Sequence, residues 1–312
     1  MRIRYGVVGT GALGGYYGGR LAQAGREVHF LLRSDYGFVR ENGLRVDSVK
    51  GGFHLPAVNA YATVREMPRC DVVLVCIKTT GNAALPGLLR PLLHPGAVVL
   101  LLQNGLGVEE DLAAALPGVA VAGGLAFVCA QKKGPGHIAH LDYGDLDIGV
   151  PGATGADGGA ASGVLGQVAE DLRAAGVPAK LAPDLAFARW RKLVWNVPFN
   201  GLTVVMGATT DRLVAHEATR ELVRDVMLEV VGGANAVGVP LKESLAQKMI
   251  DNTLQMTPYA PSMKLDCDHR RPMEIEYIYD RPVAAAAHAG FDMPRTAMLA
   301  RQLRFVQDCY GR

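Results

Sequence analysis

Cysteine is scarce in this chain. The 312 residues include five, at 70, 76, 129, 267 and 309, an odd number with no C-x-x-C pair. Such usage gives no disulfide framework and fits reduced, mostly buried thiols of a cytosolic protein, with no metal expected. An excess of one charge is lacking too. Lys and Arg total 32 against 30 Asp and Glu, and no basic run tracks one face, so nucleic-acid binding has no electrostatic support. No apolar run approaches the roughly 20 residues that span a bilayer; "AVVLLL" (97–102) is the length of a buried strand. Glycines interrupt the opening "MRIRYGVVGTGALGG", where a signal peptide would be continuously apolar, so a cytoplasmic protein is expected. There is no internal repeat. Apolar residues are plentiful at 49%, with 20% charged, the balance of a soluble globular enzyme. The length exceeds that at which single cores stop growing, which predicts two domains.

The first half alternates short β-branched runs with helical patterns. "RYGVVG" (4–9), "EVHFLL" (27–32), "DVVLVCI" (71–77) and "AVVLLL" (97–102) are nearly continuously apolar, as strands covered on both faces must be. Helices fit between them at 12–24, 81–92 and 107–116. This predicts an α/β domain with a Rossmann-type doubly wound parallel sheet. Residues 119–150 suggest an antiparallel extension, 151–163 an exposed Gly/Ala/Ser loop, 164–175 a helix and "AKLA" a closing strand. After Pro183 only 3.6-residue periods follow, at 183–200, 216–236, 241–255, 272–289 and 294–309. Pro183 and Pro294 suit first turns, and Gly238 and Gly290 suit stops. The expected division is 1–182, a dinucleotide-binding domain, and 183–312, an all-helical substrate domain.

"GVVGTGALGG" places Gly9, Thr10, Gly11, Ala12, Leu13 and Gly14 between a strand and a helix at the start of a β-α-β unit. That context makes the pattern a dinucleotide fingerprint: bare backbone N–H groups and a helix dipole can approach a pyrophosphate. Gly15, Gly18 and Gly19 on the same helix suit close packing on the sheet. NAD enzymes end the second strand with an acid for the ribose 2′-hydroxyl. Here Arg33-Ser34 stand at that point, which suits the 2′-phosphate of NADPH, although Asp35 is near enough to be that acid. Lys78 and Asn104 follow the next two strands, so three strand ends point polar groups to the side where open α/β sheets bind ligands.

"RWRKLVWNVPFNG" (189–201) holds Lys192, Asn196 and Asn200 within an arc of roughly 80°, with Arg189 in the same arc. Trp195 and Phe199 border it on one side and Leu193 on the other; Trp190, Val194 and Val197 cover the far face. Asparagine is a poor helix former, so the stripe suits a desolvated polar wall better than a solvated face. Pro198 is expected to kink or end the helix. Beside a nicotinamide, Lys192 can both stabilise charge on a reduced carbonyl oxygen and protonate it. Glu274, after Pro272, can hold that ammonium or merely favour a helix N-terminus. Ser262 can cap a helix or bind a carboxylate.

Together, "GTGALGG", "LLR", "CIKT", "QNGLG", "RWRKLVWNVPFN", "PSMKLD" and "RPMEIEYI" resemble the ketopantoate reductases in order and spacing over residues 1 to about 305. The resemblance implies NADPH-dependent reduction of the ketone of 2-dehydropantoate to (R)-pantoate, on the route to pantothenate and coenzyme A. It implies a helical domain like that of 6-phosphogluconate dehydrogenase. Lys192 would be the proton donor and Glu274 its partner near the nicotinamide ribose. Asn104, Asn196, Asn200 and Ser262 would contact the 2-keto acid, Asn104 also the nicotinamide. Arg33, Lys78 and the loop around Ala130 would contact the cofactor. Two departures bear on which keto acid is preferred. Tyr259 stands where many relatives have asparagine, and 204–211 lacks another asparagine that some relatives use. Two rivals stay open: a related NADP-dependent 2-keto acid or 3-hydroxyacid dehydrogenase, and a non-catalytic NADP(H) sensor. The former shares the Lys-x-x-x-Asn helix, but "GGLAFVCA" (123–130) lacks its serine-glycine-glycine loop. Oligomeric state is not legible, a homodimer being one option.

Overall fold

The computed structural model describes residues 2–152, 159–258 and 260–311. Tyr259 and residues 153–158 of the expected 151–163 loop lie outside them, and from Gly159 the chain is already helical rather than loop. The chain divides into two compact units, Met1–Gln103 with Val108–Leu185, and Asn104–Gly107 with Ala186–Arg312.

The first unit is built on β1 (Arg4–Val8), β2 (Glu27–Leu31), β3 (Leu44–Ser48), β4 (Phe53–Leu55), β5 (Asn59–Tyr61), β6 (Val72–Val75), β7 (Val98–Leu101), β8 (Ala120–Gly134), β9 (His137–Gly149) and β10 (Ala179–Leu181). All join one sheet in the order β4-β3-β9-β8-β7-β6-β1-β2-β5, with β10 also on β9. Strands β1, β2, β6 and β7 run parallel and are buried nearly throughout, as their unbroken apolar sequences require. The long hairpin β8–β9 is antiparallel, with register shifts at Phe127/Val128, Cys129/Ala130 and Lys132/Gly134. Strands β3, β4 and β5 have no counterpart among the sequence expectations. At three residues each, β4 and β5 are too short to show a period; β3 alternates buried and exposed residues over LRVDS but for five residues only, and it pairs with β9, some 90 residues onward.

Helices α1 (Ala12–Gln23), α2 (Tyr36–Asn42), α3 (Leu85–Leu89), α4 (Val108–Ala115) and α5 (Gly159–Ala174) accompany these strands. The expected helix 81–92 is α3 alone, flanked by 3-10 turns at Thr79–Ala84 and Arg90–Leu92. Pro86 and Pro91 lack the N–H groups that a continuous helix needs there.

The second unit is helical: α6 (Leu185–Val205), α7 (Thr210–Ala215), α8 (Glu217–Ala236), α9 (Ser244–Gln255), α10 (Ser262–Asp268), α11 (Arg281–His288) and α12 (Pro294–Asp308). A π-helical turn, Glu276–Asp280, leads into α11. Pro294 opens α12, and Gly238 and Gly290 adopt positive φ after α8 and α11. Pro183 instead lies two residues ahead of α6. Contrary to expectation, Pro198 does not end α6, which runs seven residues further, to Val205. Tyr279 supports it there. Its buried hydroxyl donates to Val197 O at 2.9 Å, beside Gly201, whose Cβ would lie 2.8 Å from that oxygen. Among the described residues no helix is long and apolar enough to cross a membrane.

Candidate active site

In the first unit, β1 ends at the glycine turn and α1 starts from it. Gly9 has φ +96°, and a Cβ there would lie 2.5–2.9 Å from Ile77 and Cys76. A Cβ on Gly14 would lie 2.3 Å from Gly9 O, which sets how closely α1 meets the strand. Gly15 and Gly18 are likewise filled by Ile138, Phe30 and Val7. Packing within the protein therefore accounts for more of the glycine pattern than the spacing suggested. It does not account for Gly11, the residue at which α1 begins, where an added Cβ meets nothing within 4 Å. No side chain caps α1 and no acid sits in its first turn. An open, uncapped helix start whose bare residue faces empty space fits a pyrophosphate. Thr10, Ala12 and Leu13 complete the turn, and Thr10 Oγ1 donates to Leu31 O at 3.0 Å, tying it to the end of β2.

Arg33 follows β2 and is exposed; among the described residues its guanidinium makes no hydrogen bond or ion pair. Lys78, three residues past β6, is half-buried at the start of a 3-10 turn. Gln103 secures the backbone beside it, donating from Nε2 to Ile77 O at 2.9 Å and to Asn82 Oδ1 at 2.7 Å. That support is absent from the sequence reading, because a glutamine two residues past β7 has no pattern of its own. Ala130 lies half-buried in β8, beside a register shift.

Asn104 belongs to the second unit. Gly105 next to it has φ +102° and packs against the Tyr277 backbone, and Leu106 N donates to Tyr277 O at 2.9 Å. Asn104 is thereby brought to the segment that carries Glu274. Glu274 is 5% exposed and sits in the irregular stretch just before the helical turn, not inside its first turn as expected. Ser262 is the first residue of α10, whose cap position is Pro261 with no side-chain cap, so its hydroxyl does not serve the capping role left open above.

The polar stripe of α6 is interior. Asn196 is 5% exposed, Asn200 2% and Arg189 3%, while Lys192 is half-buried. Burial excludes an ordinary solvated face. Asn200 Oδ1 is buried with no hydrogen-bond partner among the described residues. A buried acceptor left unpaired costs about 1–3 kcal/mol, so its retention points to a donor on a ligand. The apolar border is fixed by Trp195, whose Nε1 donates to Thr253 Oγ1 at 3.1 Å and whose ring meets Phe199 at 4.7 Å.

A sheet whose parallel strands lead to an open glycine turn, followed by a helical unit with a half-buried lysine beside two buried asparagines, defines a nicotinamide-dependent oxidoreductase. Residues 5–152 match the family Ketopantoate reductase PanE/ApbA, and residues 184–307 match Ketopantoate reductase PanE/ApbA C terminal. The chain belongs to the ketopantoate reductase family. It is 48% identical to a 2-dehydropantoate 2-reductase of Nostoc sp. (strain PCC 7120), over 97% of this chain and 95% of that one. A crystal structure of 2-dehydropantoate 2-reductase from Geobacter metallireducens GS-15 superposes with a TM-score of 0.91 at 41% identity, covering 97% and 99% of the two chains. D-mandelate dehydrogenase in complex with NADH and anilino(oxo)acetate shares the fold alone, at 19% identity and a TM-score of 0.89 over 99% of each chain.

Proposed function

We propose that this chain reduces the ketone of 2-dehydropantoate to (R)-pantoate with NADPH, the reductive step toward pantothenate. The observation that carries the reading is the polar stripe of α6: a half-buried ammonium beside two buried amides, one of which has an oxygen with no hydrogen-bond partner among the described residues. When bound, NADPH supplies the hydride. Gly9 to Gly14 hold its pyrophosphate, Arg33 its 2′-phosphate, and Lys78, Asn104 and Ala130 further parts of the dinucleotide.

As the ketone carbon is reduced, charge grows on its oxygen. Lys192 stabilises that charge and then donates a proton from Nζ to it. Glu274 keeps the ammonium in place, and its own carboxylate is kept from water by burial. Asn196 and Ser262 orient the carboxylate end of the keto acid with donor groups. Asn200 Oδ1 accepts from the hydroxyl that distinguishes ketopantoate from unsubstituted branched keto acids.

The test is NADPH oxidation with ketopantoate, run beside a panel of branched 2-keto acids without the hydroxyl. Lys192→Ala should lower kcat by about 10²–10⁴-fold, the contribution of a positioned general acid, with NADPH affinity changed only a few-fold. Near-normal turnover in that variant would remove Lys192 from the chemistry. A hydroxyl-free keto acid that outperforms ketopantoate would overturn the substrate assignment.

A further inference from the structure

The acid that could have served an NAD-type ribose is already engaged. Asp35 is the only carboxylate between residues 32 and 40 and is 5% exposed, whereas Arg33 and Ser34 before it are exposed. Its Oδ1 accepts from Lys132 Nζ at 2.6 Å and from Ser34 Oγ at 3.1 Å. Its Oδ2 accepts from Gly136 N at 3.1 Å. Burial opposes its charge, yet Lys132 and the Gly136 N–H hold the carboxyl below its usual range. Lys132 and Gly136 sit at the tip of the β8–β9 hairpin, about 100 residues onward in sequence. That tip is seated on α2: Gly136 has φ +61°, and a Cβ there would lie 2.9 Å from Gly43 O and 3.0 Å from Val39.

The stretch before Asp35 is anchored as well. Thr10 Oγ1 holds Leu31 O, Leu32 N donates to Tyr61 O at 2.9 Å, and Tyr36 N donates to Arg33 O at 3.3 Å. Arg33 and Ser34 are therefore a short exposed span between two fixed ends. Its C-terminal anchor is a buried carboxylate held by a partly exposed lysine and two further hydrogen bonds, and a buried charge resists the loss of the groups that compensate it.

We infer that the Asp35–Lys132–Gly136 clamp is a specificity device: it withholds the carboxylate from a ribose 2′-hydroxyl and holds Arg33 and Ser34 in place for a 2′-phosphate. This rests on the reading of Arg33 as the 2′-phosphate partner. Asp35 and Lys132 are positioning residues in this scheme and touch no reacting atom. Holding a flexible arginine where its anion will sit lowers the ordering cost of binding, and only the phosphorylated cofactor benefits.

The experiment is direct titration of NADPH and of NADH by nicotinamide fluorescence, with a thermal melt for each protein: wild type, Arg33→Ala, Asp35→Asn, Lys132→Met and Lys132→Arg. Asp35→Asn and Lys132→Met should each raise the Kd for NADPH about tenfold and leave that for NADH within about twofold. Lys132→Arg, which keeps the charge, should stay within about threefold of wild type for both cofactors. If both Kd values rise in parallel, or neither moves, in variants that still melt cooperatively, the clamp is merely structural and the inference fails. Should Asp35→Asn not fold, Lys132→Met decides, since its side chain is 37% exposed and its loss leaves the Gly136 bond intact. Arg33→Ala separates the two readings: a loss confined to NADPH upholds the phosphate assignment, and equal losses overturn it together with the clamp.

Discussion

At the scale of single residues, Gly9, Gly11 and Gly14 look equivalent in sequence and differ in what surrounds them. A methyl on Gly14 would collide with the Gly9 carbonyl at 2.3 Å, a backbone atom that cannot turn aside. A methyl on Gly11 would enter open space. Gly14→Ala should therefore cost about 2–3 kcal/mol of folding stability, read by urea denaturation. Gly11→Ala should leave the melting temperature within about 2 °C and weaken NADPH more than tenfold, because only the ligand competes for that volume. A stable Gly14→Ala, or a Gly11→Ala with intact affinity, would reverse these assignments. The sequence shows which positions are glycine. Only the neighbours show that two answer to packing within the protein, while at Gly11 an added Cβ would meet nothing within 4 Å.

At the scale of elements, legibility follows period and length. Strands β1, β2, β6 and β7 are apolar runs that can do little else, and α8, α9 and α12 repeat for three turns or more. Strands β4 and β5 have three residues each, too few for a local pattern, and β3 alternates over only five and pairs with the distant β9. The end of α6 was misjudged for a similar reason: Tyr279, from a separate part of the chain, packs beside Gly201 of α6 and donates to Val197 O next to Pro198. The start of α12 is legible in Pro294, but its cap is not. Glu229 on α8 supplies it, accepting from Thr296 N at 2.7 Å, Thr296 Oγ1 at 2.8 Å and Arg295 N at 3.0 Å, while 7% exposed. Glu229→Ala should destabilise the helical unit by about 3 kcal/mol, since buried donors lose a charged acceptor, and Glu229→Gln by about 1 kcal/mol. Equal losses in urea unfolding would show that packing, not the carboxylate, is what Glu229 contributes.

At the scale of the molecule, the candidate site was legible as two sets of residues. Lys192, Asn196 and Asn200 were found as a stripe, the cofactor residues as strand ends. Asp35 was legible as a possible ribose acid, but its pairing with Lys132 stayed hidden because the two meet across about 100 residues. The same long-range closure governs how the fold responds to acid. His140 on β9 is buried against Tyr16 of α1, ring centroids 4.2 Å apart. Its Nε2 faces Asp142 O at 3.0 Å and Tyr143 O at 3.2 Å, so the proton resides there. Its Nδ1 accepts from Ser48 Oγ on β3 at 2.8 Å, and that hydroxyl also accepts from Arg20 at 2.9 Å. A second proton would put a donor against Ser48 and a charge near Lys50 and Arg20. Burial, then those cations, hold the imidazole below its usual 6.5 despite the two carbonyls. The unfolded chain thus binds this proton before the folded one does. Stability is fully present above about pH 6.5 and falls as pH drops toward the lowered folded value. The depressed carboxylates Asp35 and Glu27 act only lower, in the usual carboxylate range. Between pH 7.5 and 5.5 the melting temperature of the wild type should fall, and His140→Gln, which has nothing to protonate, should fall less. Parallel slopes in the two proteins would locate the acid sensitivity elsewhere in the molecule.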